Sequence, residues 1–179
     1  LGVIAGDVTG VEMLDSGDYL TPRVNGERYQ EKPPLLFWSI ALVSAAFGDV
    51  DGFTARMPSV VAALITLYVT FLLARRLFDE RIAFWAMVVL AFGARFWWQA
   101  RTAQTDMVLT AFTTLALYAF WRWHEQRRAT ALIAFYAAIA AGALTKGPPA
   151  FIFPLLLVYA FYWKQPEPRK ALRFWWGAL

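Results

Sequence analysis

The chain has 179 residues, of which 59% are hydrophobic and 17% aromatic, and its mean hydropathy is +0.45. Soluble domains are nearer to about 45–50% apolar, so the composition favours an integral membrane protein. The absence of cysteine excludes disulfides and thiolate metal sites, and the single histidine, His124, excludes a multi-histidine metal cluster within this chain.

The net charge of +4 is explained by basic loops facing the cytoplasm, and we expect no nucleic-acid partner. The chain starts at Leu1 and has no signal peptide, so we expect a fragment, or a protein whose start is missing. Residues 1–56 are expected to form an outer loop with an interfacial helix, and residues 57–179 a transmembrane helical region of about five spans.

Residues 1–32 are mixed and polar, and the segment DSGDYLTPRVNGERY carries the Gly, Pro and Asn-Gly signals of turns. We predict an aqueous loop here, with a short helix near Val11–Leu14. The following run, residues 33–48, is short for a span of about 20 residues. It begins at Pro33 and Pro34, which favour a helix start, so we predict a helix lying along the membrane interface.

Longer apolar stretches follow and are predicted to cross the membrane. They run over Met57–Leu77, Ile82–Trp98, Met107–Trp123, Ala131–Leu144 and Ala150–Trp163. Basic residues cluster after the first, third and fifth of these stretches: Arg75, Arg76 and Arg81; Arg122, Arg127 and Arg128; Lys164, Arg169, Lys170 and Arg173. Because these loops alternate, the positive-inside rule makes that side cytoplasmic and turns the acidic amino-terminal segment outward.

The same topology puts Glu31, Lys32, Asp106 and Lys146 on the non-cytoplasmic side, near the membrane surface. These residues come from three separate segments of the chain. We expect them to line one polar cavity open to the outside, because several charges within one lipid-facing patch would be costly without partners or water. Lys146 is expected at the rim of that cavity.

Four motifs occur in order: EMLDSGDYLTPRVNGERYQEKPPLLFW, TARMPS, RTAQTDMVLT and ALTKGP. In this combination the sequence resembles the polyprenyl-phosphate-dependent glycosyltransferases of family 39, which include aminoarabinose transferases of lipid A and protein O-mannosyltransferases. The resemblance covers about Glu12 to Pro148. It implies an all-α polytopic bundle with part of a C-type glycosyltransferase fold, a membrane helix ahead of Leu1 and many spans after Leu179.

The resemblance implies transfer of a sugar from a polyprenyl-phosphate donor to a hydroxyl acceptor, on a lipid or a protein, at the outer surface of the bacterial inner membrane. Its partners are then that donor, the acceptor and membrane lipids. Lys32 is expected to contact the donor phosphate, with Glu31, Lys146 and Arg101 also binding donor or substrate. Glu31 is a candidate ligand for a divalent metal.

Asp106 is the candidate catalytic carboxylate. The Asp-Glu pair usual in the family falls in this register on Gly2 and Val3, which cannot accept a proton. Asp7 is the nearest carboxylate, out of register, and is the alternative catalytic residue.

The same residues also have purely structural explanations. Lys32 can be an interfacial lysine that reaches water, and Asp106 an acid favoured at a helix amino terminus. Lys146 lies in a good helix stop, and Arg95 and Arg101 can anchor the interface. A non-catalytic lipid-binding or assembly protein and a transporter fragment are the alternative functions, although transporters place ionisable groups near the membrane midplane.

Overall fold

The computed structural model describes residues 9, 12–13, 16–29, 32–48 and 51–163. Within these residues it is a bundle of seven helices with one small two-stranded ribbon, so the all-α prediction is confirmed. The elements in chain order are β1 (Arg23–Val24), β2 (Glu27–Arg28), α1 (Leu35–Phe47), α2 (Met57–Leu77), α3 (Glu80–Ala91), α4 (Ala94–Ala100), α5 (Thr105–Gln126), α6 (Ala129–Lys146) and α7 (Pro149–Trp163).

The polar amino-terminal segment contains the turns that its sequence predicts. Strands β1 and β2 pair antiparallel across Asn25 and Gly26, whose φ angles of 54° and 80° are both positive. Asn-Gly is favoured in such two-residue hairpin turns because both residues tolerate positive φ. The short helix predicted near Val11–Leu14 is present at its described positions, Glu12 and Met13, which are helical.

Helix α1 follows the proline pair and packs one face on the bundle. Pro34 occupies its N-cap, and Gly48 ends it with a φ of 86°. Its 13 residues span roughly 20 Å, less than a membrane core of about 30 Å. The buried face contacts α2 and α6, whereas Leu42 and Phe47 are exposed. A position along the interface fits this length and stays a prediction.

The predicted long helices occur within a few residues of their expected limits, with one exception. Among the described helices, α2 and α6 are each long and apolar enough to cross a membrane alone. Helix α5 has 22 residues and packs against α2, α4, α6 and α7. It is less apolar than α2 and α6 because polar and charged residues occupy both of its ends.

The exception is the stretch Ile82–Trp98, which was predicted as one membrane-crossing stretch and is divided between two helices. The chain forms α3 and α4 instead, with a bend of 67° between them. Gly93 adopts an extended conformation at the break, with φ −63° and ψ 120°. A Cβ on Gly93 would lie 3.1 Å from the carbonyl oxygen of Leu90, so a side chain here would require the turn to shift by a few tenths of an ångström.

Two ion pairs mark opposite ends of the bundle. Arg76 Nη1 lies 2.5 Å from Glu125 Oε2, which joins the carboxyl ends of α2 and α5. Lys146 Nζ pairs with Asp106 Oδ1, which joins the carboxyl end of α6 to the amino end of α5. We call these the basic end and the site end. They agree with the predicted separation of charged loops, and their orientation in the membrane stays a prediction.

Candidate functional site

The ion pair between Asp106 and Lys146 forms the centre of the site. Asp106 lies in the first turn of α5, and Lys146 is the last residue of α6. Each charge complements the dipole of its own helix, because the amino end is partially positive and the carboxyl end partially negative. The side chains keep 30% and 42% of their surface exposed, so the pair is accessible to a ligand.

Gln99 is a site residue that the sequence prediction missed. Its Nε2 donates to Asp106 Oδ2 at 3.5 Å, which brings α4 to the same carboxylate. Only its neighbours Arg95 and Arg101 were singled out from the sequence, as residues that can anchor the interface. Helical spacing could have identified Gln99. Phe96 and Ala100 pack toward the core, and Gln99 lies beside that face of the helix.

Lys32 lies exposed just before α1, at the site end. Leu36, one turn into the helix, belongs to the same buried cluster as Met107, the neighbour of Asp106. Within the described part of the chain, Lys32 forms no ion pair. A free ammonium near this end is suited to an anionic ligand, and its convergence with Asp106 stays a prediction.

The polar loop is fixed to the start of α1 by two contacts. Trp38 Nε1 donates to the carbonyl oxygen of Tyr19 at 2.6 Å. The ring of Tyr29 packs edge-on against Phe37, with centroids 5.9 Å apart. These contacts flank Lys32 in sequence, so they restrict where its side chain can reach.

Hydrogen bonds within the loop itself stabilise one carboxylate. The backbone amides of Thr21 and Leu20 donate to Asp18 Oδ1, each at 3.1 Å. Because they stabilise the ionised form, the amide of Thr21 first, they lower the pKa of Asp18 below its usual value. The turn is therefore most stable when Asp18 is charged.

The remaining predicted residues fall into two groups. Glu31 and Asp7, with Gly2 and Val3, lie outside the described residues, so their proposed roles stay predictions. Within the residues that are described, no three His, Asp or Glu side chains come together as a metal site.

Arg101 lines an open groove of about 680 Å³ beside α4. Its guanidinium lies 4.7 Å from the ring centroid of Trp97, a cation–π arrangement. The residues that line the groove are Arg56, Phe92, Ala94, Trp97, Trp98, Arg101 and Thr102. Arg101 thus faces a groove that does not include Asp106 or Lys146.

A family model described as dolichyl-phosphate-mannose-protein mannosyltransferase matches residues 31–176. The chain belongs to this family. The match covers the EKPP, TARMPS, RTAQTD and ALTKGP motifs, so the resemblance to family 39 glycosyltransferases is confirmed.

Curated relatives extend the match across nearly the whole chain. It is 34% identical over 172 residues to an undecaprenyl phosphate-alpha-4-amino-4-deoxy-L-arabinose arabinosyl transferase of Pseudomonas aeruginosa, covering 93% of this chain and 31% of that protein. It is 32% identical over 162 residues to an uncharacterised protein of Aquifex aeolicus, covering 90% of this chain and 32% of that protein. The chain therefore spans about a third of the length of these relatives.

Solved structures confirm the C-type glycosyltransferase fold. ArnT from Cupriavidus metallidurans bound to undecaprenyl phosphate matches with a TM-score of 0.84 at 25% identity. The apo structure of the same protein matches with a TM-score of 0.82 at 26% identity. Both matches cover 90% of this chain and 31% of the ArnT chain, so the family members share this helical arrangement.

Proposed function

We propose that this chain supplies the donor-phosphate and acceptor-activating region of a polyprenyl-phosphate-dependent glycosyltransferase. The observation that carries the proposal is the exposed Asp106–Lys146 pair at the site end, where the segment bearing Lys32 also begins. A carboxylate and cations together suit a reaction in which a hydroxyl loses a proton while a phosphate accumulates charge. Their position at helix ends, away from the helix centres, favours an enzyme over a transporter.

The cations are proposed to act on the donor. The bond between the sugar C1 and the phosphate oxygen breaks, and the lipid phosphate departs with both electrons of that bond. Lys32 stabilises the negative charge that develops on the phosphate, because a compact ammonium can approach it closely. Lys146 supplies a second positive charge when the phosphate displaces Asp106 from the Lys146 ammonium.

The carboxylate is proposed to act on the acceptor. Asp106 accepts the proton of the acceptor hydroxyl while the oxygen forms its bond to the sugar C1. Gln99 donates a hydrogen bond to Oδ2 of Asp106. Oδ1, which contacts Lys146 in this structure, is the oxygen that would accept the proton of the hydroxyl. Asp7 is the alternative base, and Glu31 the proposed ligand if a divalent metal assists.

The donor is proposed to be an undecaprenyl phosphate-linked sugar, since curated relatives are named for such a donor. The acceptor is a hydroxyl on a lipid or a protein at the outer surface of the bacterial inner membrane. The apolar helices α2 and α6 support placement in a membrane.

Reconstitution of the full-length protein in nanodiscs tests the proposal. Undecaprenyl-phosphate sugar is supplied with either a lipid or a peptide acceptor, and released undecaprenyl phosphate and glycosylated product are quantified by mass spectrometry. Acceptor-dependent release is expected, with no transfer from a nucleotide sugar. Transfer from the nucleotide sugar, or no transfer from any polyprenyl-phosphate donor, would contradict the proposal. A parallel reaction with a chelator reports the metal requirement.

A further inference from the structure

The groove beside α4 has a composition different from that of the Asp106–Lys146 site. Arg56 and Arg101 both line it, and none of its lining residues in the described part of the chain carries a carboxylate. Neither arginine forms an ion pair with any residue that the structure describes. Two unpaired positive charges in one groove attract an anion that carries net negative charge.

Helix α4 separates the groove from the site. Ala94, Trp97, Trp98 and Arg101 recur at helical spacing and all line the groove. Phe96 and Ala100 pack into the core from another face, and Gln99 contacts Asp106. A ligand in the groove would therefore contact the side of α4 that faces away from the catalytic carboxylate.

The rim of the groove is suited to a membrane lipid. Phe92, Trp97 and Trp98 expose 85%, 58% and 65% of their surface. Indole side chains favour the level of lipid headgroups, where an apolar body and a polar N–H are both accommodated. The cation–π contact also holds the Arg101 guanidinium beside the ring of Trp97.

We propose that this groove binds the phosphodiester headgroup of an anionic phospholipid from the surrounding membrane. Arg56 and Arg101 hold the phosphate, and the exposed aromatic side chains at the rim contact the upper acyl chains. This site is separate from the donor site, and its occupancy does not depend on the transferase activity proposed above. A zwitterionic lipid, which lacks net charge, binds more weakly.

Native mass spectrometry of the full-length protein tests the proposal with phosphatidylglycerol as the probe and phosphatidylcholine as the comparison lipid. The double variant Arg56→Gln/Arg101→Gln is expected to weaken phosphatidylglycerol binding by about 25-fold, since each interfacial arginine contributes about five-fold to the affinity for anionic lipid. Arg95→Gln is the matched control, because Arg95 is exposed on the same helix but does not line the groove. It is expected to bind as the wild type does.

Photoactivatable phosphatidylglycerol locates the lipid independently of those variants. Labelling is expected on the peptide that contains Trp97 and Trp98. If the double variant fails to fold, Arg101→Lys replaces it in the binding experiment. This variant keeps the charge and loses the planar stacking, so it is expected to retain part of the binding.

Any of three results would overturn the proposal. One is wild-type phosphatidylglycerol binding by the double variant. Another is stoichiometric displacement of phosphatidylglycerol by undecaprenyl phosphate, which would assign the groove to the donor. The third is an absence of labelling on α4, which would show that the rest of the full-length chain covers the groove.

Discussion

Removing the charges of Asp106 and Lys146 separates a catalytic role from a structural one. Asp106→Asn and Lys146→Gln each remove one charge with little change in shape. Because the two side chains remain 30% and 42% exposed, the pair should contribute only about 0.2–1 kcal/mol to the free energy of unfolding. A positioned general base contributes about 100-fold or more to a rate, so Asp106→Asn should slow transfer by at least about 100-fold.

The ion pair at the basic end is a matched control for this experiment. Arg76 and Glu125 are 31% and 32% exposed, close to the values at the site end. Arg76→Gln and Glu125→Gln should therefore change the free energy of unfolding by a similar small amount. They should leave the transfer rate unchanged, because both lie at the basic end, away from Asp106 and Lys146.

The assay combines denaturant unfolding in detergent with single-turnover transfer by the full-length protein, for both single variants and the double variant of each pair. The double-mutant cycle isolates the coupling energy between Asp106 and Lys146. A loss of about 3 kcal/mol or more in each single variant would indicate a buried structural pair. Transfer at the wild-type rate by Asp106→Asn would refute its role as base.

Three further outcomes follow from the geometry. Gly142→Ala should lower the unfolding midpoint, because a Cβ there would lie 3.0 Å from the Cβ of Ala150 and push α6 from α7. Folding lowers the pKa of Asp18, so ionised Asp18 stabilises its turn at pH values above its ordinary pKa of 3.8. This stabilisation is lost as the pH falls through the lower pKa of the folded state. Limited proteolysis of the loop should therefore accelerate at acidic pH in the wild type, and Asp18→Asn should remove this pH dependence. An impermeant thiol reagent on intact cells should label a cysteine at position 27 and not at position 125; the opposite result would reverse the topology.

The sequence predicts most helices because their ends carry strong local signals. Pro58 opens α2, and Arg75 and Arg76 close it, so its limits coincide with the prediction. The hairpin at Asn25 and Gly26 has a similarly strong local signal. The bend at Gly93 was missed because the apolar run around it has no period that separates one helix from two. The tight contact that a side chain would make at this position appears only once the backbone is folded.

The site residues could be predicted from the sequence only in part, because their contacts depend on tertiary packing. Asp106 and Lys146 were identified from their motifs, but their pairing across 40 positions depends on the antiparallel packing of α5 and α6. Gln99 reaches Asp106 only because α4 bends back over the site end. Charge alternation could predict a common side for these residues, whereas their individual contacts depend on how the helices pack.

The most direct test of the central claim is the single-turnover transfer rate of full-length Lys32→Ala with a saturating undecaprenyl-phosphate sugar. Arg28→Ala is the control, because Arg28 is an exposed cation on the nearby hairpin. The account predicts a loss of about 100-fold for Lys32→Ala, the scale of removing one group that stabilises transition-state charge. It also predicts a wild-type rate for Arg28→Ala and equal membrane expression for both variants. Wild-type transfer by Lys32→Ala would contradict the assignment of this end of the bundle to the donor phosphate.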